Sequence, residues 1–148
     1  MRNLIKVRKL IIFGLTLPIL AYNCLPVVAQ SKQKISSLPN GNYFYGTSRS
    51  PYKSGTDYLI FRKTGNIITG MKYPVPGETT CFRGNASSNT INNVTIRLQE
   101  LGEGSSSGEF VRRNPINLNS YYRLRFDQVP DFAKRGLREC ITVFSNRS

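Results

Sequence analysis

The centre of the chain consists of four short extended segments separated by turn residues. Residues 58–63 and 67–73 are rich in aromatic and β-branched side chains, and Gly65 between them can adopt the positive φ of a tight hairpin turn. Residues 79–83 and 90–99 continue the series, and apolar side chains occupy alternate positions of the last segment. Because successive strand residues point to opposite faces, this alternation predicts an antiparallel meander with one buried face and one face in water.

Further extended segments flank the meander, and the chain ends in an amphipathic segment. Residues 42–46 and 120–127 are predicted to be strands. In residues 130–144 apolar side chains recur at helical spacing and charged side chains fall opposite, which predicts a helix. Gly136 costs this helix about 1 kcal/mol relative to alanine, so a strand at residues 139–144 is the alternative. The predicted fold class is mainly β: a small antiparallel meander that forms a barrel or a sandwich, with a C-terminal amphipathic helix.

The first 29 residues have the features of a secretory signal peptide. A cationic start is followed by an apolar run at residues 10–20 and by the small-residue sequence Val-Val-Ala at residues 27–29, which predicts a mature chain beginning at Gln30. A membrane anchor is the alternative, but spanning needs ~20 apolar residues and Pro18 interrupts this run. We expect an exported protein, periplasmic or extracellular, with no transmembrane segment after processing.

The exported chain is basic and contains two cysteines. Removal of the signal lowers the formal net charge from +13 to +9. Residues 30–39 are polar and without periodicity, which predicts a flexible leader, and residues 40–148 are predicted to form a single β-rich domain. Cys24 leaves with the signal, so Cys81 and Cys140 remain. An even number of cysteines in an exported chain indicates a disulfide, here joining the third strand to the C-terminal segment, and two free thiols are the alternative.

Four short motifs of the mature chain are composed of turn residues, cysteines and strand aromatics. They are Leu38-Pro-Asn-Gly41 followed by Tyr43, Phe61-Arg-Lys-Thr-Gly-Asn66 with Gly70, Cys81-Phe-Arg-Gly84, and Cys140 with Phe144. In these motifs the chain resembles a family of small exported cyanobacterial proteins. The resemblance implies a signal peptide, a compact β-rich domain and an exported location. It implies no activity, and it carries over no catalytic residue.

The absence of histidine from the whole chain excludes several chemistries. Nucleophiles that need a histidine base and zinc sites with imidazole ligands are ruled out. Two cysteines alone hold neither a structural zinc nor an iron–sulfur cluster, so no metal or other cofactor is predicted. An enzyme that uses paired carboxylates, Glu100 with Glu103 or Asp127 with Asp131, is a third candidate after the two binding roles described below.

Arginine and aromatic residues alternate near the C-terminus. On the predicted strand at residues 120–127, Arg123 and Arg125 share one face, and an edge that carries Arg112 or Arg113 could lie beside them. Guanidinium groups arranged in this way suit sulfate, phosphate or carboxylate groups, and a solvated outer face is the alternative. The opposite face is predicted to direct Tyr122, Leu124 and Phe126 into the core. The candidate anion-binding residues are Arg112, Arg113, Tyr121, Arg123 and Arg125.

These features together favour a non-enzymatic binding module. An anionic glycan, a lipid headgroup or an acidic protein fits the positive charge and the exported location, whereas nucleic acid is a poor partner there. A small ligand is a further candidate, in a barrel cavity lined by Tyr43, Phe44, Phe61 and Phe82. The alternative function is a protein–protein interaction, as an inhibitor or an envelope component.

Overall fold

A computed structural model describes residues 33–98 and 108–146 of the chain, and these belong to one compact unit, Ser31–Ser148. The predicted signal peptide and the acidic pair Glu100 and Glu103 lie outside the described residues. The elements in chain order are a 3₁₀ helix Ile35–Ser37, β1 Gly41–Gly46, β2 Thr56–Thr64, β3 Ile67–Val75, β4 Thr80–Ser87, β5 Thr90–Arg97, β6 Phe110–Arg112, β7 Ile116–Asn117, β8 Tyr122–Leu124, a second 3₁₀ helix Phe126–Gln128, and α1 Asp131–Ser145.

The strands form one antiparallel sheet in the order β6-β5-β4-β3-β2-β1-β8, with β7 also paired to β5. The predicted meander is confirmed: β2 and β3 pair in register from Thr64 opposite Ile67 to Thr56 opposite Val75. Gly65 has a φ of 57° in the hairpin turn between them. Pairing within the described residues ends at β6 and β8, so the sheet is open and the predicted barrel is not formed.

One face of the sheet is covered by α1, and we call it the helix face. Phe44, Tyr58 and Met71 are buried there against Leu137 and Cys140 of the helix. The helix is confirmed over residues that include the alternative strand at 139–144. A Cβ atom at Gly136 would collide with Sδ of Met71, so a larger residue there would require the flexible Met71 side chain to move.

The other face of the sheet is covered as well, so the predicted wet face is wrong. The segment after β6 runs from β5, where Ile116 pairs with Ile91, across to β1, where β8 pairs. Leu118 and Tyr121 of this segment are buried in the same cluster as Tyr43. We call this the crossover face, and the covering segment, residues 113–121, the crossover segment.

The N-terminal part of the described chain also covers the crossover face. Ile35 is fully buried and Leu38 is 3% exposed, and both join the cluster there. The amide of Ser36 donates a hydrogen bond to the carbonyl of Ser88 at 3.0 Å. The prediction of a flexible leader up to residue 39 is therefore wrong for Ile35 to Leu38, because two apolar side chains are enough to anchor this segment.

The predicted cavity residues do not share a cavity. Tyr43, Phe61 and Phe82 are buried on the crossover face, whereas Phe44 is buried on the helix face. The four side chains are at most 5% exposed and act as core residues.

The predicted disulfide between Cys81 and Cys140 is present and joins β4 to α1. The two Cα atoms are 5.2 Å apart and the two residues are separated by 59 positions in sequence. At the end of the same helix, Nη1 of Arg83 donates to the carbonyl of Phe144 at 3.2 Å. A guanidinium at a helix C-terminus is favourable because it satisfies a carbonyl that has no partner within the helix. The helix is thus held to β4 by a covalent and a polar contact.

We expect removal of the disulfide to lower the free energy of unfolding by roughly 4 kcal/mol, because the closed loop restricts the unfolded chain. Urea unfolding of the oxidised protein, the reduced protein and the Cys81→Ala/Cys140→Ala variant measures this. The reduced protein and the variant should unfold at similar, lower urea concentrations. Equal midpoints for the oxidised and reduced proteins would show that the link contributes nothing.

Candidate functional site

The structure separates the five predicted anion-binding residues. Arg112 lies on β6 and Arg123 on β8, which are the two ends of the strand order, and Arg113 follows β6. The expectation that an edge with Arg112 or Arg113 lies beside Arg123 is therefore wrong. Strand order depends on where the chain returns to the sheet, and the alternation of residues within a strand does not contain that information.

Tyr121 and Arg125 of this group, and the neighbouring Tyr122, have different environments from those predicted. Tyr121 is only 6% exposed, because the crossover face on which it lies is covered. Tyr122, predicted to lie in the core, is 41% exposed. Arg125 lies beyond the end of β8, and its Nε donates to Oδ1 of Asp127 at 3.1 Å while Nη2 contacts Oδ2. Arg125 thus already binds a carboxylate.

Arg123 is exposed and stacks on an aromatic ring. Its Cζ lies 5.1 Å from the ring centroid of Tyr43, and its Nη1 lies 3.5 Å from Oε1 of Gln33. The Tyr43 hydroxyl donates to the carbonyl of Pro39 at 2.7 Å, which fixes the ring. A guanidinium over a ring face is held in one plane and is attracted by the ring quadrupole. Its N–H edges can still donate to an oxyanion.

A second arginine–tyrosine pair lies on the other side of β8. Cζ of Arg49 is 4.7 Å from the ring centroid of Tyr122. Because Tyr122 and Arg123 are neighbours on a strand, their side chains point to opposite faces. The short edge strand therefore has one such pair on each side. We call the group Arg49, Tyr122, Arg123 and Tyr43 the β8 edge.

Neither arginine of the β8 edge is neutralised by the protein as far as the structure describes it. The ion pairs within the described ranges are Lys72 with Asp57, Arg125 with Asp127, and Lys134 with Asp131. Sequence reasoning missed Arg49 because Ser48, Pro51 and Gly55 indicate a loop and nothing more. The local sequence contains no signal for its pairing with Tyr122, since the two residues are far apart in the chain.

The loop that presents Arg49, residues 47–55, is held by a buried hydroxyl. Tyr58 is fully buried on the helix face. Its hydroxyl accepts a hydrogen bond from the amide of Lys53 at 2.8 Å and donates one to the carbonyl of Ser50 at 2.7 Å. At the loop ends, the Thr47 amide donates to the backbone carbonyl of Asp57 at 3.0 Å, and the Gly55 amide donates to the carbonyl of Val75 at 2.6 Å. The loop is therefore ordered by the sheet beneath it.

Two further exposed rings belong to this region: Tyr52 in the loop itself, and Phe132 in α1. Tyr52 has a φ of 64°, a left-handed conformation that is uncommon for a bulky residue and that is found more often at functional sites. Its ring is 52% exposed and its hydroxyl donates to the carbonyl of Gln128 at 3.3 Å. Phe132 in the first turn of α1 is 46% exposed and meets Tyr73 edge-on at 5.4 Å. With Tyr122 these side chains form what we call the aromatic rim: Tyr52, Tyr122 and Phe132.

Four tyrosines around this region have a raised hydroxyl pKa, which keeps these four hydroxyls neutral at physiological pH. Burial raises the pKa of Tyr73, Tyr45 and Tyr121 above that of a free tyrosine. Desolvation and the nearby charge of Asp131 raise the pKa of Tyr52. The region combines exposed guanidinium groups with aromatic rings, and such a combination is chemically suited to anionic groups and apolar ring faces.

Catalysis by paired carboxylates gains no support from the acidic residues near this region. Asp127 binds Arg125, and Asp131 lies 3.7 Å from Lys134, so each carboxylate faces a cation. Among residues 33–98 and 108–146, no group of three or more acidic or cysteine residues is placed to hold a metal ion. Within the same ranges no helix has the length and hydrophobicity needed to cross a bilayer.

We expect Tyr58→Phe to loosen the loop at residues 47–55 without unfolding the sheet. The change removes both hydrogen bonds to the loop and should cost about 2 kcal/mol, at about 1 kcal/mol for each bond. Tryptic cleavage after Arg49 and Lys53 should become faster than in the parent protein. Tyr73→Phe is the matched control, because Tyr73 is buried on the same face and stacks on Tyr58 at 5.3 Å. Equal cleavage rates in both variants would contradict a role for the Tyr58 hydroxyl.

Stability should fall as the pH rises above about 10, the ordinary pKa of tyrosine. A tyrosine whose pKa is raised by folding stabilises the protein fully below that ordinary value, and the contribution is lost as the pH rises through the folded pKa. Urea midpoints at about pH 8 and about pH 11, with tyrosinate absorbance followed in parallel, test this. Tyr73→Phe should reduce the alkaline loss, because burial raises the pKa of Tyr73. A midpoint that does not change with pH would contradict the argument.

Comparisons of the chain with protein-family models, with curated proteins and with solved structures gave no match.

Proposed function

We propose that the protein is an exported, non-enzymatic binding module that holds anionic groups at the β8 edge. The observation that supports this most directly is the pair of exposed arginines, Arg49 and Arg123, each stacked on a tyrosine ring on opposite sides of one edge strand. Export is supported by the signal-like N-terminus, by the resemblance to exported cyanobacterial proteins, and by a disulfide, which persists in oxidising compartments.

Stacking on a ring restricts the side-chain rotamers of these two arginines before a ligand binds. An arginine side chain in water samples many rotamers, and ordering it on binding costs about 0.5–1.5 kcal/mol. At the β8 edge the ring faces of Tyr122 and Tyr43 already restrict the guanidinium groups of Arg49 and Arg123. A carboxylate or sulfate can then accept charge-assisted hydrogen bonds from groups that are in place. The net charge of +9 for the chain after residue 29 attracts anions over a longer range.

Neither Arg112 nor Arg113 stacks on an aromatic ring within the part of the chain that the structure describes. Nη1 of Arg113 lies 3.5 Å from the carbonyl of Arg112, and both side chains are exposed at the opposite end of the sheet. They provide a control with the same charge and a different environment. We therefore assign anion binding to Arg49 and Arg123, with Arg112, Arg113 and Arg125 as solvated or internally paired surface residues.

A second candidate function is the binding of an acidic protein segment. β8 has three residues and lies at the end of the strand order. An extended peptide can pair with such an edge by backbone hydrogen bonds. Acidic side chains of the peptide would then meet Arg49 on one side and Arg123 on the other.

The Arg49→Gln/Arg123→Gln variant tests the proposed function. We expect its affinity for dextran sulfate at low salt to fall by at least about tenfold, since charge-assisted hydrogen bonds contribute about 1.5–3 kcal/mol each. Its urea midpoint should stay close to that of the parent, because exposed charges contribute only ~0–1 kcal/mol. Binding by the parent should weaken as salt shortens the screening length to ~10 Å at 0.1 M.

The control is Arg112→Gln/Arg113→Gln, which removes the same charge from the opposite edge. A small loss in the control and a large loss at the β8 edge support a local site. Equal losses in the two variants would mean that only the net charge matters. Undiminished binding by the β8-edge variant would refute the proposal.

A further inference from the structure

Three of the five large hydrophobic side chains exposed in the described ranges form the aromatic rim. The exposed fractions are 52% for Tyr52, 41% for Tyr122 and 46% for Phe132. The other two, Ile67 and Leu98, are aliphatic and lie at the β2–β3 hairpin and after β5. Burial of an aromatic side chain is worth several kcal/mol in transfer free energy, so a group of exposed rings indicates a contact surface.

The rings of the rim are held in place by ordered neighbours. The Tyr52 hydroxyl is tied to the carbonyl of Gln128, which lies just before α1, and Phe132 packs on Tyr73. Tyr73 stacks on Tyr58 at 5.3 Å, and Tyr58 in turn holds the loop that contains Tyr52. Tyr52 has a left-handed backbone conformation, which is energetically unfavourable for a bulky residue, and its side chain is exposed. A ring that is both exposed and fixed is suited to bind another flat, weakly polar surface.

The loop at residues 47–55 supplies both a guanidinium group and an exposed aromatic ring. Arg49 and Tyr52 lie three positions apart in residues 47–55, and Arg49 stacks on Tyr122, which is itself a member of the rim. A ligand at this place therefore meets a guanidinium group and exposed ring faces together. Sulfated or carboxylated sugars offer both matching features: an oxyanion and a ring face of C–H groups, which the electron-rich face of an aromatic ring attracts. A phosphoglycerol headgroup or a peptide of aspartate and glutamate has the anion without the ring face.

We propose that the ligand of the β8 edge is an acidic polysaccharide, whose sugar rings stack on Tyr52 and Phe132 while its carboxylate or sulfate groups bind Arg49 and Arg123. This inference rests on the proposed anion-binding function and names the class of its ligand. A polymer is favoured because the two arginines lie on opposite sides of β8, so that one small anion cannot contact both with the same group.

The experiment compares sodium alginate, a polymer of uronic acids, with polyglutamate, which carries carboxylates and no rings. The variant is Tyr52→Asn/Phe132→Ala, in which asparagine tolerates the left-handed backbone and alanine favours the helix. We expect its affinity for alginate to fall about tenfold, equivalent to about 1.4 kcal/mol, and its affinity for polyglutamate to stay unchanged. Arg49→Gln/Arg123→Gln should weaken binding to both polymers. Ile67→Ala is the control for loss of an exposed apolar side chain elsewhere.

The outcomes separate the two proposals. If the aromatic variant binds alginate as well as the parent, or loses affinity for both polymers alike, the polysaccharide inference is wrong while anion binding stands. If the arginine variant binds both polymers as well as the parent, the proposed function itself fails. A single-stranded oligothymidylate that binds more tightly than alginate, with the same dependence on Tyr52 and Phe132, would overturn the inference in favour of a stacked-base ligand. Unchanged urea midpoints for the variants exclude unfolding as the cause.

Discussion

Burial of both faces of one open sheet is the constraint on which the structure depends. The strands of this sheet carry aromatic and aliphatic side chains on each side, so each face needs a covering segment. Helix α1 supplies one cover and the crossover segment, together with Ile35 and Leu38, supplies the other. The small domain therefore has a three-layer core, and the disulfide fixes one of the outer layers to β4.

The position of the β8 edge follows from this layering. The chain covers the crossover face, reaches the outer side of β1 as β8, and then returns over the helix face as α1. β8 is thus the place where the chain passes from one face to the other. The neighbouring residues Tyr122 and Arg123 point to opposite sides of β8. On one side Tyr122 contacts Arg49 of the β1–β2 loop, and on the other side Arg123 contacts Tyr43 of β1.

Local pattern predicted the meander, the C-terminal helix and the disulfide, but the strand predicted at residues 120–127 is shorter, and the pattern did not predict which elements are neighbours. Alternation and turn residues identified the strands of the meander, helical spacing identified α1, and cysteine counting identified the disulfide. The same alternation placed Tyr121 in water, because it shows that a strand has two faces and does not show whether the second face is covered. The burial of Ile35 was not predicted for a related reason: the segment contains only two apolar residues, Ile35 and Leu38, which are too few to show a periodic pattern.

The candidate site was the least predictable part because it is made by contacts between distant segments. Arg123 was identified from strand alternation, but its expected neighbours Arg112 and Arg113 lie at the other end of the sheet. Arg49 and Tyr52 lie in a segment whose composition indicates a loop, and the positive φ of Tyr52 has no sequence signature comparable to glycine. Knowledge of the strand order was required before the two arginine–tyrosine pairs could be found.

The core and the site are linked by a continuous series of rings on the helix face. Phe44 stacks on Tyr58, Tyr58 on Tyr73, and Tyr73 meets Phe132 at the surface. Burial of apolar area stabilises the buried rings of this series. Phe132 packs against one of these close-packed rings, Tyr73, and its position is restricted by that contact. The arginines at the periphery contribute little to folding, since their charges are exposed. Stability and the proposed binding therefore depend on different side chains, and Arg49 or Arg123 can be substituted while the core that positions them stays intact.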